Sequence, residues 1–140
     1  MDTKAIFLPA VAMAALTCIV WLRMFRVRIR QMYRDRIHPQ SVATSAQALA
    51  RFTESAAADN FRNLFELPVL FYLALTVAAF NGLADTLTLT LAWLFVAMRI
   101  AHSFIQCTYN RVMHRFAAYA AGGLVLWTLW IYLATGLIGR

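Results

Sequence analysis

The chain has 140 residues, of which 62% are hydrophobic and 14% are charged, and its formal net charge is +7. Soluble domains carry roughly 25% charged residues, so this composition excludes an ordinary soluble domain and indicates a membrane protein. The length predicts a single domain over residues 1–140. The excess of basic residues lies beside apolar segments, as membrane flanks do, so we expect no nucleic-acid partner.

Four apolar segments are each close to the roughly 20 residues that a helix needs to cross a hydrocarbon core. They lie at Ala5–Leu22, Leu64–Phe80, Leu87–Gln106 and Phe116–Ile138. The first is followed, not preceded, by basic residues, which predicts a retained anchor rather than a cleaved signal peptide. The four segments predict an all-α, up-and-down bundle of four transmembrane helices.

Six arginines follow the first apolar segment: Arg23, Arg26, Arg28, Arg30, Arg34 and Arg36. Several of them recur at helical spacing, so the first helix is predicted to continue beyond the hydrocarbon core into the headgroup region. The stretch Gln40–Ser55 is rich in Ser, Ala and Thr and is predicted to be a partly helical connector.

The loop charges predict an orientation in the membrane. The loop after the first helix is basic, and the loop before the fourth helix carries Arg111 and Arg115, whereas the turn Asn81–Asp85 carries only an acid. Loops one and three are therefore expected in the cytoplasm, with both termini and the second turn outside. The short second turn also predicts that helices two and three are antiparallel neighbours.

The cysteines and histidines do not form a recognisable ligand pattern. Cys18 and Cys107 do not make a disulfide framework, neither sits in a metal-ligand spacing, and both are expected to act as small apolar side chains. His38, His102 and His114 are not spaced as facing axial ligands, so neither a metal nor a haem is expected. Rings of like charge are missing from the pattern as well, which argues against a pore.

Polar residues inside the apolar segments are the main sign of a function, because an unpaired charge there costs roughly 2.5–3.5 kcal/mol. Asn63 and Glu66 are spaced to share one face of the second helix, and Arg99, His102 and Gln106 to share one face of the third. Glu66 and Arg99 lie at matched depth, which predicts an ion pair between these helices. Whether that pair is structural or lines a site stays open at this point.

Arg115 begins the fourth predicted helix at its cytoplasmic edge. An arginine at this position has two interpretations, and the composition does not decide between them. It could extend to the lipid headgroups. It could also lie over the mouth of a polar pocket as a permanently charged donor that stabilises an anion such as a thiolate.

These residues give the sequence a resemblance to the MAPEG family, the membrane-associated proteins in eicosanoid and glutathione metabolism. The run Asn63–Pro68 reads NLFELP and matches the family's N-x-x-E followed by proline on helix two. Arg99–His102 reads RIAH and matches its R-x-x-H on helix three. Arg115 follows His102 by thirteen residues, which is the spacing of the catalytic arginine in microsomal glutathione transferases.

The resemblance implies a homotrimer in a bacterial inner membrane, with glutathione bound between neighbouring subunits and open to the cytoplasm. A lipophilic electrophile or a lipid hydroperoxide would enter from the bilayer. Arg115 would be the catalytic residue that stabilises the glutathione thiolate. The residues that would bind the tripeptide or brace its site are Asn63, Glu66, Arg99, His102, Arg62 and Tyr109, and Arg28 or Arg30 would meet a carboxylate.

Three positions depart from the pattern of the glutathione-conjugating members. Asp59 stands where they carry an arginine that holds the tripeptide, and Phe61 stands where they carry a polar residue. Gln106 replaces a frequent tyrosine, with Tyr109 one turn further on. Two functions therefore remain in view: a thiol transferase or peroxidase, and a non-catalytic scaffold or accessory subunit that has lost glutathione binding.

Overall fold

The computed structural model describes residues 3–139 and is built from helices and short connections, with no strand in this range. The helices are α1 (Leu8–Arg34), α2 (Ser45–Arg51), α3 (Ala56–Asn63), α4 (Leu67–Phe80), α5 (Thr86–Cys107) and α6 (Val112–Ile138). Two 3-10 turns, Thr3–Phe7 and Pro39–Val42, precede α1 and α2. The predicted all-α class is confirmed.

Helix α1 continues to Arg34, well beyond the end of its apolar segment, as the arginine spacing predicted. Its 27 residues correspond to about 40 Å, more than the roughly 30 Å of a hydrocarbon core. The connector is partly helical, also as predicted. Helix α2 begins with a capping box, in which the Gln47 backbone N–H donates to the Thr44 hydroxyl (3.3 Å) and the Thr44 backbone N–H donates to the Gln47 side chain (3.1 Å).

The second predicted helix does not run unbroken through Asn63 and Glu66, which corrects the sequence prediction. Helix α3 ends at Asn63, and α4 starts only at Leu67. The cause is Pro68, which has no N–H to donate and whose ring would clash with the carbonyl four residues earlier, so it is tolerated only in the first turn of a new helix. Glu66 is the residue before that turn, with φ −95° and ψ −104°. Asn63 and Glu66 therefore do not share the face of a single helix.

The core lies between the long helices. Phe71 of α4 stacks on Phe95 of α5 with ring centroids 4.6 Å apart, so the helices on either side of the short second turn are in contact. Helices α5 and α6 pack most extensively. Gly122 permits this approach, because a Cβ atom there would lie 3.3 Å from the Cβ of Met98.

The outward faces of the bundle are apolar. Leu124 is 70% exposed and Ile131 is 67% exposed, and similar side chains project from the other long helices. Four helical stretches are long and apolar enough to cross a membrane: Lys4–Arg34, Ala56–Phe80, Thr86–Cys107 and Val112–Ile138. The stretch Ala56–Phe80 joins α3 and α4 across the break, and this matters because the 14 residues of α4 span only about 21 Å.

Candidate functional site

A cavity of about 410 Å³ opens where the α3–α4 junction, α5 and the start of α6 meet. This is also the end of the bundle at which α1 carries its arginines. Five residues predicted from the sequence line it: Arg62, Asn63, Glu66, His102 and Arg115. The remaining lining residues are Asp59, Gln106, Val112, Phe116 and Tyr119. Its volume lies within the range of roughly 300–1,000 Å³ that is usual for small-molecule sites.

Arg99 lies behind this cavity and stabilises the helix break. Asn63 is the last residue of α3, so no backbone N–H of a following helical turn donates to its carbonyl. The Nη2 of Arg99 donates to that carbonyl at 2.6 Å. The Arg99 side chain is completely buried, and its Nε and Nη1 have no hydrogen-bond partner within residues 3–139. The guanidinium carbon lies 5.1 Å from the ring centroid of Tyr119, a cation–π distance.

The predicted ion pair between Glu66 and Arg99 is not formed. In the described part of the chain the ion pairs are Arg34–Asp35, Arg34–Glu54 and Arg62–Asp59. Glu66 is exposed whereas Arg99 is fully buried, so the two charged groups do not meet. Tyr119 stands between the two, because its hydroxyl donates to the Glu66 carboxylate at 3.1 Å while its ring faces Arg99.

His102 joins α5 to the other two walls of the cavity. Its Nδ1 lies 3.0 Å from the Arg115 carbonyl, which can only accept, so Nδ1 carries the proton. Its Nε2 lies 2.9 Å from the Gln106 side-chain oxygen and 3.4 Å from the Asn63 amide nitrogen, which can donate to it. The Asn63 amide also donates to Gln106 at 3.2 Å. These three side chains form one buried polar cluster that fixes the back wall of the cavity.

Arg115 lies in the first turn of α6 and is half-buried at the cavity. Its Nη1 donates to the side-chain oxygen of Asn110 at 2.9 Å. Asn110 adopts a left-handed backbone conformation, with φ 45°, in the loop before α6. Because Asn110 is neutral and Arg115 forms no ion pair within residues 3–139, the guanidinium charge is not neutralised by the protein. The arrangement suits a donor that faces an anion.

The other predicted site residues are divided between this cavity and its surroundings. Arg62 lies 3.9 Å from Asp59. Arg28 lines a neighbouring cavity of about 240 Å³ and lies over the ring of Phe52, 5.8 Å from its centroid. The structure does not bring Arg30 or Tyr109 to either cavity: Arg30 is exposed on α1, and the Tyr109 hydroxyl lies 3.3 Å from His114 in the loop before α6.

The family model that describes the MAPEG family matches residues 6–135, which is nearly the whole chain. The chain belongs to the MAPEG family. No curated protein and no solved structure gives a match. Family membership and the four long apolar helices together make it an integral membrane helical bundle. The family is associated with glutathione, and in this MAPEG chain the N-x-x-E, R-x-x-H and arginine positions meet around one cavity or directly behind it.

Sequence reasoning missed several polar residues in and around this cavity. Tyr119 connects Glu66 to Arg99, and the available signal was its position one helical turn after Arg115. The buried Ser103 hydroxyl donates to the Asn60 side chain at 3.1 Å. The Asn60 amide in turn donates to the sulfur of Cys107 at 3.4 Å, so this half-buried cysteine takes part in a polar link between α3 and α5.

The side chains around the cavity indicate which kind of ligand it could hold. Within residues 3–139, no three His, Cys, Asp or Glu side chains come close enough together to hold a metal ion. The cavity instead combines two carboxylates, from Asp59 and Glu66, with two guanidinium groups, from Arg62 and Arg115. Such a mixture suits a polar organic ligand that carries charges of both signs.

Proposed function

We propose that the protein is a membrane-bound thiol transferase or peroxidase that uses glutathione as co-substrate. Its acceptors would be lipophilic electrophiles or lipid hydroperoxides, and Arg115 would be the catalytic residue that stabilises the thiolate. One observation carries the proposal: the guanidinium of Arg115 faces a polar cavity without an acidic partner from the described chain. A cation held in this way is suited to an anionic ligand atom.

The chemistry follows from the pKa of the thiol. A free thiol has a pKa of about 8.5, so at neutral pH only a few per cent is the reactive thiolate. A guanidinium beside the sulfur lowers that pKa, and the released proton passes to water. The sulfur lone pair then forms a bond to the electrophilic carbon, and with an aryl chloride the chloride ion leaves. With a hydroperoxide, two thiols become a disulfide while the peroxide is reduced to an alcohol and water.

The remaining polar side chains would bind the tripeptide. Asn63, Arg62 and Glu66 present donors and acceptors along one side of the cavity. Arg99 acts indirectly in this proposal, because it holds the Asn63 carbonyl and the Tyr119 ring in place behind the cavity. This division of roles agrees with the complete burial of Arg99.

An apolar acceptor would reach the same cavity from the bilayer. Val112 and Phe116 line the cavity and are 63% and 62% exposed, so its rim is apolar on the α6 side. The arginines of α1 at this end support a cytoplasmic position for the site, with both termini outside. A bacterial inner membrane is part of the proposal through the family resemblance alone. The exposed apolar faces of the long helices leave surface for two further subunits of a homotrimer.

The proposal is tested by thiol addition to a chlorodinitrobenzene acceptor with purified protein in detergent. Arg115→Ala is expected to lower the rate by about 10²-fold, the usual effect of removing one electrostatic donor. The pH at which the rate rises should also be higher in this variant, because the pKa of the bound thiol returns toward its ordinary value. Arg111→Ala is the matched control, since Arg111 is exposed in the same loop and does not line the cavity. Equal rates in both variants and wild type would refute the assigned role.

A second candidate is a non-catalytic scaffold or accessory subunit. The observation that favours it is Asp59, which places a second carboxylate beside Glu66 in a cavity that would have to accept an anionic tripeptide. Under this alternative, millimolar glutathione would not raise the melting temperature of the protein, and Glu66→Gln would impair assembly. A glutathione-dependent rise of the size expected from ligand linkage would exclude it.

A further inference from the structure

The cavity at Arg115 has a neighbour on its connector side. This second cavity, here called the connector cavity, has a volume of about 240 Å³ and lies between α1, the connector and α3. Asp59 and Arg62 line both cavities. The two spaces therefore adjoin at this pair of oppositely charged side chains, one helical turn apart on α3.

The Asp59–Arg62 pair is suited to open for a ligand. The Nη1 of Arg62 lies 3.9 Å from the Asp59 carboxylate, and the two side chains are 67% and 40% exposed. A pair with this separation and exposure is weak, because water screens it and both side chains give up mobility to form it. A ligand that supplies a cation to Asp59 and an anion to Arg62 would replace one weak contact with two.

The other charges of the connector cavity favour the same arrangement. Arg28 is half-buried over the ring of Phe52 and forms no ion pair within residues 3–139, so its charge is available to a carboxylate. Glu54 also lines this cavity, but Arg34 donates to its carboxylate at 3.0 Å. Asp59 is thus the carboxylate best placed to receive a ligand cation between the two cavities.

We infer that Asp59 is a specificity-determining residue that selects thiols bearing an ammonium group. The thiol end of the ligand lies toward Arg115, and the distal end, with its ammonium and a carboxylate, extends past Asp59 into the connector cavity toward Arg28 and Arg62. This inference rests on the proposed function, because it assumes that a thiol occupies the cavity at Arg115. Asp59 would repel a purely anionic ligand, but under this inference it attracts the ammonium group of a zwitterionic ligand.

The test compares two thiols that differ only in the ammonium group: glutathione and its des-amino analogue, glutaryl-cysteinyl-glycine. Their affinities are measured by calorimetry on the detergent-solubilised protein for wild type and Asp59→Asn. We expect wild type to bind glutathione about tenfold more tightly, equivalent to about 1.4 kcal/mol, and Asp59→Asn to bind both thiols alike. Asp35→Asn is the matched control, an exposed carboxylate that lines neither cavity, and it should retain the preference.

Each other outcome overturns the inference in a distinguishable way. Equal binding of both thiols by wild type would overturn it and leave the proposed function intact. A preference that survives in Asp59→Asn but disappears in Glu66→Gln would assign the ammonium to Glu66 instead. Failure of both thiols to bind wild type would overturn both the inference and the proposed function. Melting temperatures of the variants close to that of wild type show that the comparison concerns folded protein.

Discussion

The two ends of the bundle differ in how completely their charged side chains are hydrogen-bonded. At the end with the short turn, the Asp85 carboxylate accepts the Thr88 backbone N–H at 2.8 Å and the hydroxyl of Tyr132. The Thr88 hydroxyl donates to the Leu83 carbonyl at 2.8 Å. At the opposite end, two nitrogens of the buried Arg99 have no partner within residues 3–139, and a cavity of about 410 Å³ lies in front of it.

This difference separates a polar cluster whose hydrogen bonds are made from one that keeps unpaired donors beside a cavity. Buried polar groups in folded proteins are nearly always hydrogen-bonded, since leaving one unpaired costs stability. The Asp85 cluster follows that rule and caps α5 while tying it to α6. The Arg99 region departs from it beside an open cavity, and such departures are expected at functional sites. Substitutions at the two ends should therefore separate stability from activity.

The largest expected effect is loss of activity at Arg99. Arg99→Met is expected to lower the thiol-conjugation rate by about 10²-fold, as for loss of a preorganised donor, because the Asn63 carbonyl and the Tyr119 ring lose their support. The melting temperature should change little, since relief of an incompletely paired buried charge offsets the loss of the hydrogen bond to the Asn63 carbonyl. Rate and melting temperature in detergent are measured together. A large drop in melting temperature would show that Arg99 is mainly structural.

At the end with the short turn, a substitution is expected to lower stability and to leave the activity unchanged. Asp85→Ala removes the N-cap of α5 and the acceptor of Tyr132, which should lower the unfolding free energy by about 1–2 kcal/mol. The rate per folded molecule should stay at the wild-type value, because Asp85 lies at the end of the bundle remote from Arg115. Tyr132→Phe is the milder variant and should lose only part of that stability. A changed rate in Asp85→Ala at full folding would contradict the separation of the two ends.

The contrast also shows what the sequence could and could not predict. The four apolar segments, the extension of α1 and the helical connector follow from length, hydropathy and arginine spacing, which are local properties. The signal for the helix break, Pro68, is also local, but the apolar residues around it gave no indication of where the helix ends. A continuous second helix then led to the wrong partner for Glu66.

The residues in and behind the cavity could be singled out where their spacing marks one helix face, as for Arg99 and His102. Tyr119 was missed because a tyrosine in an apolar helix is common, and its role depends on the relative rotation of α4, α5 and α6. That rotation is set by packing, including the close approach at Gly122, which no short sequence pattern encodes.

Two adjacent glycines of α6 test this packing with an internal control. Alanine favours a helix interior over glycine by about 1 kcal/mol, so Gly123→Ala, whose new Cβ would meet Leu67 at an ordinary 3.7 Å, should raise stability by up to that amount. Gly122→Ala gains the same preference but places its Cβ 3.3 Å from Met98 Cβ, beside the Arg99 side chain. It should be less stable than Gly123→Ala by about 1 kcal/mol. Only Gly122→Ala should lower the rate, and a lower rate in both variants would contradict the role given to Gly122.

The smallest expected effect is a pH dependence of stability at the Asp85 end. Burial of Asp85 acts to raise its pKa, but hydrogen bonds from the Thr88 backbone N–H and the Tyr132 hydroxyl outweigh burial, so the pKa lies below its ordinary value near 3.8. A carboxyl whose pKa is lowered by folding stabilises the protein above its unfolded pKa, and this stabilisation is lost as the pH falls through the lower, folded pKa.

The melting temperature of wild type should therefore fall more steeply below about pH 4 than that of Asp85→Asn, which keeps a capping side chain but cannot titrate. Asp35 contributes a loss of the same sign, because its hydrogen bond with Arg34 lowers its pKa, but this loss is common to both proteins and cancels in the comparison. The end with the Arg115 cavity should not follow this acid transition, so under the proposed function glutathione should still raise the melting temperature of both proteins by similar amounts at pH 5. If the melting temperatures of the two proteins instead fell in parallel down to pH 3, the ionised carboxylate of Asp85 would not be what stabilises this end of the bundle.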